Sequence, residues 1–211
     1  MRLDEVVALQ AGVTRSQARG LILAGRVRVN GEPITKAGAN VRDDAQIEID
    51  RGKSYVSRGG EKLEHALRSF AIDASGKRVL DIGASTGGFT DCVLGFGATH
   101  VTAVDVGYGQ LAWPLRNDPR VHVLERTNFR FVDRDALGPP FNLIVIDVSF
   151  ISLRTIVERA RLFLAPGGAI VALVKPQFEA GRERVRRGGV VRDPGVHAAV
   201  LREVREAMNA L

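Results

Sequence analysis

A glycine-rich stretch, D-I-G-A-S-T-G-G-F-T-D at residues 81–91, lies where an apolar run ends and a helical pattern begins. Gly83 and Gly87 free the backbone there to pass close to a ligand. The N–H groups at the start of the following helix favour a carboxylate or a phosphate. Asp105 closes the next apolar run, 22 residues after Gly83, at a place where an acid accepts hydrogen bonds from a ribose diol. The glycine spacing is G-x-x-x-G rather than G-x-G-x-x-G, and no Lys-Ser/Thr follows, so neither a dinucleotide nor a P-loop nucleotide is indicated. An adenosine ligand without phosphates fits better. S-adenosylmethionine is such a ligand, with its ribose at Asp105 and its amino-acid end by the glycines. Asn128, just past a third apolar run, is a candidate for the adenine end by position. The bland alternative is a tight strand-to-helix turn that holds nothing.

Two more charged residues end apolar runs: Asp147 after L-I-V-I and Lys175 after A-I-V-A-L-V. The plain reading of Asp147 is a turn cap, and that of Lys175, just before Pro176, a solvated strand end. Trp113 and Phe150 could stack on a base, but core packing is expected of both. Cys92 is expected to be buried in mid-helix.

The elements that position these residues are α/β. Strands are expected at Arg78–Gly83, Val101–Asp105, Val121–Leu124, Leu143–Asp147 and Ala169–Val174, the last entered through Pro166-Gly167-Gly168. Helices are expected at Gly88–Phe96, Gln110–Arg116, Leu153–Leu164 and Val196–Ala210. This alternation implies a mostly parallel, doubly wound, Rossmann-like sheet, which places Asp105, Asp147 and Lys175 on one edge. Residues 1–53 differ, reading as a small α+β unit. Leu3, Val6, Val7 and Leu9 recur at helical spacing. Ser16 is the expected N-cap of a second helix, whose buried face is Ala18, Leu21 and Ile22 and which Gly25 ends. Val27-Arg28-Val29 then alternates as a strand does, Asn30-Gly31 is a hairpin signal, and Gln46–Asp50 alternates again. Residues 54–60 read as the linker, and 61–211 as the second domain.

Composition narrows the partners. The 211 residues hold 30 Lys and Arg against 24 Asp and Glu, a net charge of +6, with 45% hydrophobic residues. That apolar content disfavours disorder, and the basic excess favours a polyanion, most commonly nucleic acid. The longest apolar run is too short to span a bilayer. The opening Met-Arg-Leu-Asp-Glu lacks a signal peptide's apolar run. One Cys and four scattered His make a zinc site unexpected, so no metal is assigned, and the single Cys fits a reducing, cytoplasmic setting. Arg15 and Arg19 lie one helical turn apart, either as an RNA-facing pair or as a solvated face. The run Arg182–Arg192, with five Arg, is either an RNA-contacting loop or a charged surface loop.

The segment T-R-S-Q-A-R-G-L-I-L-A-G-R-V-R-V-N-G (14–31) resembles an S4 RNA-binding domain. The rest resembles the hemolysin A (TlyA) family of ribosomal RNA 2′-O-methyltransferases, whose catalytic domain is of the FtsJ type. The matching stretches are Y-V-S-R-G-G-E-K-L (55–63), residues 81–91, V-D-V-G-Y-G-Q-L (104–111), I-D-V-S-F-I-S-L (146–153), V-K-P-Q-F-E-A-G-R (174–182) and G-G-V-V-R-D-P (188–194). The resemblance implies methyl transfer from S-adenosylmethionine to a ribose 2′-hydroxyl, a cytidine in this family, of ribosomal RNA or a ribosomal subunit. It implies a catalytic set of Lys62, Asp147 and Lys175, in which Lys175 activates the hydroxyl while Lys62 and Asp147 tune it. A lysine is a base only when burial or a second cation lowers its pKa from about 10.4, and Lys62 would be that cation. The cofactor set is Gly83, Ala84, Ser85, Gly87, Asp105, Val106 and Asn128. RNA contacts are expected from Arg2, Arg15, Arg19, Lys36 and Arg58.

The family's fourth catalytic residue, a Glu, belongs to a strand beyond the last helix here, so none is assigned. The last two strands of the usual seven-stranded sheet are expected to be missing. That makes a catalytically silent RNA-binding or ribosome-assembly module one alternative. The family's historical name supplies another, a membrane-lytic protein, which the absence of a transmembrane run disfavours.

Overall fold

A computed structural model of the chain describes residues 1–42, 44–50, 55–185 and 188–211. The chain divides into two compact units, Met1–Ser54 and Tyr55–Leu211.

In the smaller unit, α1 (Leu3–Ala11) and α2 (Arg15–Leu23) precede β1 (Val27–Val29), β2 (Glu32–Pro33) and β3 (Ile47–Ile49). The strands form an antiparallel sheet in the order β2-β1-β3. Asn30 and Gly31 turn the chain with φ of 51° and 83°, the positive values that a tight hairpin turn requires. Leu3, Val7, Ala18, Ile22 and Val27 close the core. Two expectations change. Thr14, not Ser16, caps α2, because its hydroxyl accepts from Gln17 N while the Gln17 side chain returns to Thr14 N, a reciprocal capping box. Leu9 is exposed and Asp4 is buried instead, because Asp4 meets two arginines (below).

The larger unit opens with α3 (Arg58–Ser69), so the expected linker gives way to helix at Arg58; Asp43, residues 51–54, Arg186 and Arg187 lie outside the described residues. There follow β4 (Arg78–Ile82), α4 (Gly88–Gly95), β5 (His100–Val104), α5 (Trp113–Arg116), β6 (Val121–Leu124), β7 (Phe141–Ile146), α6 (Leu153–Ala160), β8 (Leu164–Ala172), α7 (Pro176–Glu179) and α8 (Pro194–Asn209). The expected helix Gln110–Arg116 is shorter than its apolar spacing suggested. It begins only at Trp113, with Pro114 in its first turn. The expected helix to Leu164 tightens after Ala160 into a 3₁₀ turn over Arg161–Phe163.

Among the described residues the sheet has five strands, all parallel, in the order β6-β5-β4-β7-β8. Strand period 2 sends Val79, Asp81, Leu143 and Val145 to the face covered by α3 and α4, and Leu80, Ile82, Ile144 and Ile146 to the face covered by α6 and α8. Connections leave β4 and β7 in opposite directions. The carboxyl ends of these two strands therefore form the switch-point crevice where such sheets bind ligands. Both expected core aromatics are exposed instead: Trp113 by 74% and Phe150 by 91%. Phe150 stands on a turn with φ of 64°, which lifts its ring off the core and onto Phe178 at 4.9 Å between centroids. Cys92 is buried on α4.

Candidate active site

The glycine turn after β4 is built by close approach. A Cβ on Gly83, whose φ is +85°, would lie 2.5 Å from the Asp147 carbonyl oxygen, so only glycine lets β4 and β7 end this close together. Gly87, with φ of +96°, is the N-cap of α4, and a Cβ there would strike Leu115 and Leu111. Ser85 carries a positive φ of 48°; its N–H donates to Asp105 Oδ2 at 2.8 Å. The other carboxylate oxygen of Asp105 accepts from Gly107 N at 2.7 Å. Asp105 thus ties the glycine turn to the loop after β5.

Two clefts meet at this turn. The larger, about 400 Å³, is lined by Asp105, Val106, Gln110, Asn128, Phe129 and Phe150 among others. The smaller, about 310 Å³, is lined by Arg58, Lys62, Ala84, Asp147 and Lys175 among others. Gly83, Ser85, Asp147 and Ser149 belong to both walls. The larger cleft suits an adenosine: an acid at the end of β5, apolar walls, and polar groups from two loops. Asn128 caps the following 3₁₀ turn through its Oδ1, which accepts from Arg130 N at 3.2 Å.

The smaller cleft gathers the chemistry. Lys175 Nζ lies 2.6 Å from Asp147 Oδ1 and donates to Ser149 Oγ at 2.8 Å. Strand β8 ends at Ala172, so Lys175 stands three residues beyond it, as the N-cap of α7. Lys62 reaches the same cleft because α3 presses its N-terminus onto that of α4. A Cβ on Gly88 would lie 2.1 Å from Ser57 Oγ, and one on Gly60 would lie 2.3 Å from the Tyr55 ring. The Ser57 hydroxyl accepts from Gly59 N and caps α3. Arg58 therefore lines the cleft beside Lys62.

Beneath the turn, Asp81 is fully buried on β4. Its Oδ2 accepts from Thr90 Oγ1 at 2.6 Å, and its Oδ1 has no hydrogen-bond partner among the described residues. Burial pushes its carboxyl up to about 7 against the pull of Thr90, with Asp147 and Asp105 adding to the rise. Just after β6, Glu125 accepts from Gly109 N at 2.9 Å and pairs with Arg116. Burial raises its pKa, but Arg116 and the backbone donors outweigh that and leave it lowered.

Of the expected site residues, Lys62, Asp147 and Lys175 share one cleft, and Gly83, Ser85, Asp105, Val106 and Asn128 share the other. Ala84, expected at the cofactor, lines the smaller cleft alone, and Gly87 lines neither. The expected RNA-contacting run 182–192 falls partly outside the described residues, at Arg186 and Arg187. Arg2, Arg15, Arg19 and Lys36 belong to the smaller unit. There the buried Asp4 takes ion pairs from Arg2 and Arg15, both at 3.1 Å. The hydrogen bond from Arg2, helped by Arg15, holds its carboxyl well below the usual range against the cost of burial. Arg15 also pairs with Glu5 at 3.1 Å, whereas Arg19 and Lys36 are exposed. Sequence reasoning gave Ser149 and Glu125 no role, although Ser149 stood inside a quoted motif.

Comparison with known proteins agrees with this architecture. The FtsJ-like methyltransferase family profile matches residues 55–211, and the S4 domain profile matches residues 1–47. The 16S/23S rRNA (cytidine-2′-O)-methyltransferase TlyA of Mycobacterium tuberculosis is 50% identical over 98% of this chain and 78% of its own length. Hemolysin A of Brachyspira hyodysenteriae is 44% identical over 95% of this chain and 85% of its own length. A solved Streptococcus thermophilus protein that carries a hemolysin name is 45% identical, with a TM-score of 0.70, over 97% of this chain and 76% of that one. An S4 unit, a five-stranded parallel sheet with its switch-point crevice, and these likenesses together place the chain in the FtsJ-like methyltransferase family, in the branch that carries an N-terminal S4 domain.

Proposed function

We propose that the protein transfers a methyl group from S-adenosylmethionine to the ribose 2′-hydroxyl of a cytidine in ribosomal RNA, in the cytoplasm and with a ribosomal subunit or its RNA as substrate. One observation carries the reading: the Lys175–Asp147 pair, Lys62 and Arg58 line a cleft that shares a wall with the larger cleft at Asp105. The cofactor, when bound, supplies an electrophilic sulfonium methyl.

The protein's own groups do the rest. Asp105 keeps acceptor sites for ribose hydroxyls, because a carboxylate has about four lone-pair sites and two are used by Ser85 and Gly107. Val106, Asn128 and the backbone of Gly83 and Ser85 line the cofactor's bed. Arg58, at the start of α3, holds RNA phosphate. Lys175 Nζ, aimed by Asp147 and Ser149, holds the acceptor hydroxyl and, as the neutral amine, takes up its proton on the nitrogen lone pair. Lys62 adds positive charge beside it. Holding hydroxyl and methyl in line supplies much of the acceleration. A lysine–carboxylate pair with no cysteine nucleophile in the cleft suits oxygen as the acceptor. Arg2, Arg15, Arg19 and Lys36 on the S4 unit contact RNA. Among the described residues no helix is long and apolar enough to cross a membrane.

The test is incubation of the protein with methyl-labelled S-adenosylmethionine and each purified ribosomal subunit. Label in the RNA of a subunit is expected. Cofactor binding with no label in either subunit would overturn the catalytic reading in favour of an RNA-binding or assembly module.

A further inference from the structure

We infer that Glu179 is a positioning residue for the Lys175–Asp147 pair, acting as a staple between the two loops that carry them. This rests on the methyl-transfer reading of that cleft. Glu179 lines neither cleft. Its carboxylate is instead spent on the N-terminus of α6. Oε1 accepts from Leu153 N at 2.7 Å, and Oε2 accepts from Ser152 Oγ at 2.9 Å. Ser152 itself makes no side-chain cap there, so the α6 cap comes from 26 residues downstream. A carboxylate at that end also complements the helix dipole.

The geometry closes a ring. Asp147 and Ser149 stand on the loop that leads from β7 into Ser152 and Leu153. Lys175, the extended N-cap residue, and Glu179, the last helical residue, stand at the two ends of the single turn of α7. Pro176 at the first helical position fixes the backbone between them, and Phe178 N donates to Lys175 O at 2.9 Å. Anchoring Glu179 on α6 therefore sets the rotation of α7 and with it the aim of Lys175 at Asp147 Oδ1 and Ser149 Oγ. The Phe150–Phe178 contact joins the same two loops a second time. Without Glu179 the loops keep that ring contact and the Lys175 pairings, which rest on the flexible lysine side chain. A misplacement of about 1 Å at a reacting group can cost on the order of 100-fold in rate.

The experiment compares Glu179→Ala, Glu179→Asp and Glu179→Gln with the natural chain. It measures kcat and KM for ribosomal RNA, the cofactor dissociation constant by calorimetry, and amide hydrogen exchange over residues 147–153 and 175–180. Glu179→Ala is expected to lower kcat at least tenfold, to leave the cofactor constant within about threefold, and to speed exchange in both segments. Glu179→Gln keeps an acceptor for Leu153 N and restores most of the rate. Glu179→Asp keeps the charge but is one methylene short, falls between the two, and serves if the alanine variant does not fold. Unchanged kcat in Glu179→Ala and Glu179→Asp overturns the inference. If the natural chain transfers no methyl at all, the functional reading fails; unchanged exchange in both segments then overturns the staple on its own.

Discussion

Lys175 Nζ contacts both Asp147 and Ser149, and no other described residue combines these contacts in the smaller cleft. Lys175→Ala is expected to lower methyl transfer by about 10²–10⁴, the usual worth of a proton-transfer group. Its cofactor affinity is expected to stay near that of the natural chain, because Lys175 lines only the acceptor cleft. Asp81 makes a different prediction. Its folded pKa of about 7 lies above the ordinary 3.8, so between roughly pH 4 and pH 7 the folded protein binds a proton that the unfolded chain releases. The contribution is present at the acid end of that window and is lost as pH rises, with a slope of at most about 1.4 kcal/mol per pH unit. Denaturant melts of the natural chain and Asp81→Asn at pH 4.5 to 7.5 should differ by that falling slope; parallel curves would refute it. In the smaller unit, Arg15→Ala should cost about 1–3 kcal/mol of stability, because it leaves the buried Asp4 short of a partner. Arg19→Ala and Lys36→Ala should leave the melting temperature unchanged. Each should reduce the salt slope of RNA binding by about 0.7–0.9.

At the scale of elements, the placing of Lys62 depends on how α3 meets α4. Gly88→Ala would drive a Cβ into Ser57 Oγ and to 2.9 Å from Gly60 N, costing about 1–3 kcal/mol by overpacking. It should also move Lys62, so kcat is expected to fall at least tenfold while cofactor affinity changes less; equal losses in both would contradict this. The same contact shows where sequence reading stops. Strands β4 to β7 were legible because buried parallel strands are near-continuous apolar runs, and Asp105 and Asp147 follow from their ends. Helix α3 was not legible, since Gly59 and Gly60 read as a junction. Their use is close packing against Phe89 and Tyr55, partners 30 residues ahead and 5 behind. Thr14 displaced Ser16 as the cap because Gln17 completes a box only with Thr14. Phe150 was misassigned to the core because an aromatic ring between Ser149 and Ile151 gives no sign of its backbone turning left-handed.

For the whole molecule, the proposed function divides the work between the two units: the S4 unit would find RNA, and the parallel sheet would hold cofactor and acceptor ribose. The net charge of +6 spreads over both, so binding to ribosomal RNA should weaken steeply with salt. The acceptor is expected to be a ribose oxygen, not a base atom. The most direct test digests RNA from a subunit treated with the protein and S-adenosylmethionine to nucleosides and separates them by mass. Cytidine bearing one methyl on the sugar is expected, with the adjoining phosphodiester resistant to alkali, and it should be lost with Lys175→Ala. A methyl group on the base, with the backbone still cleaved by alkali at that site, would contradict it.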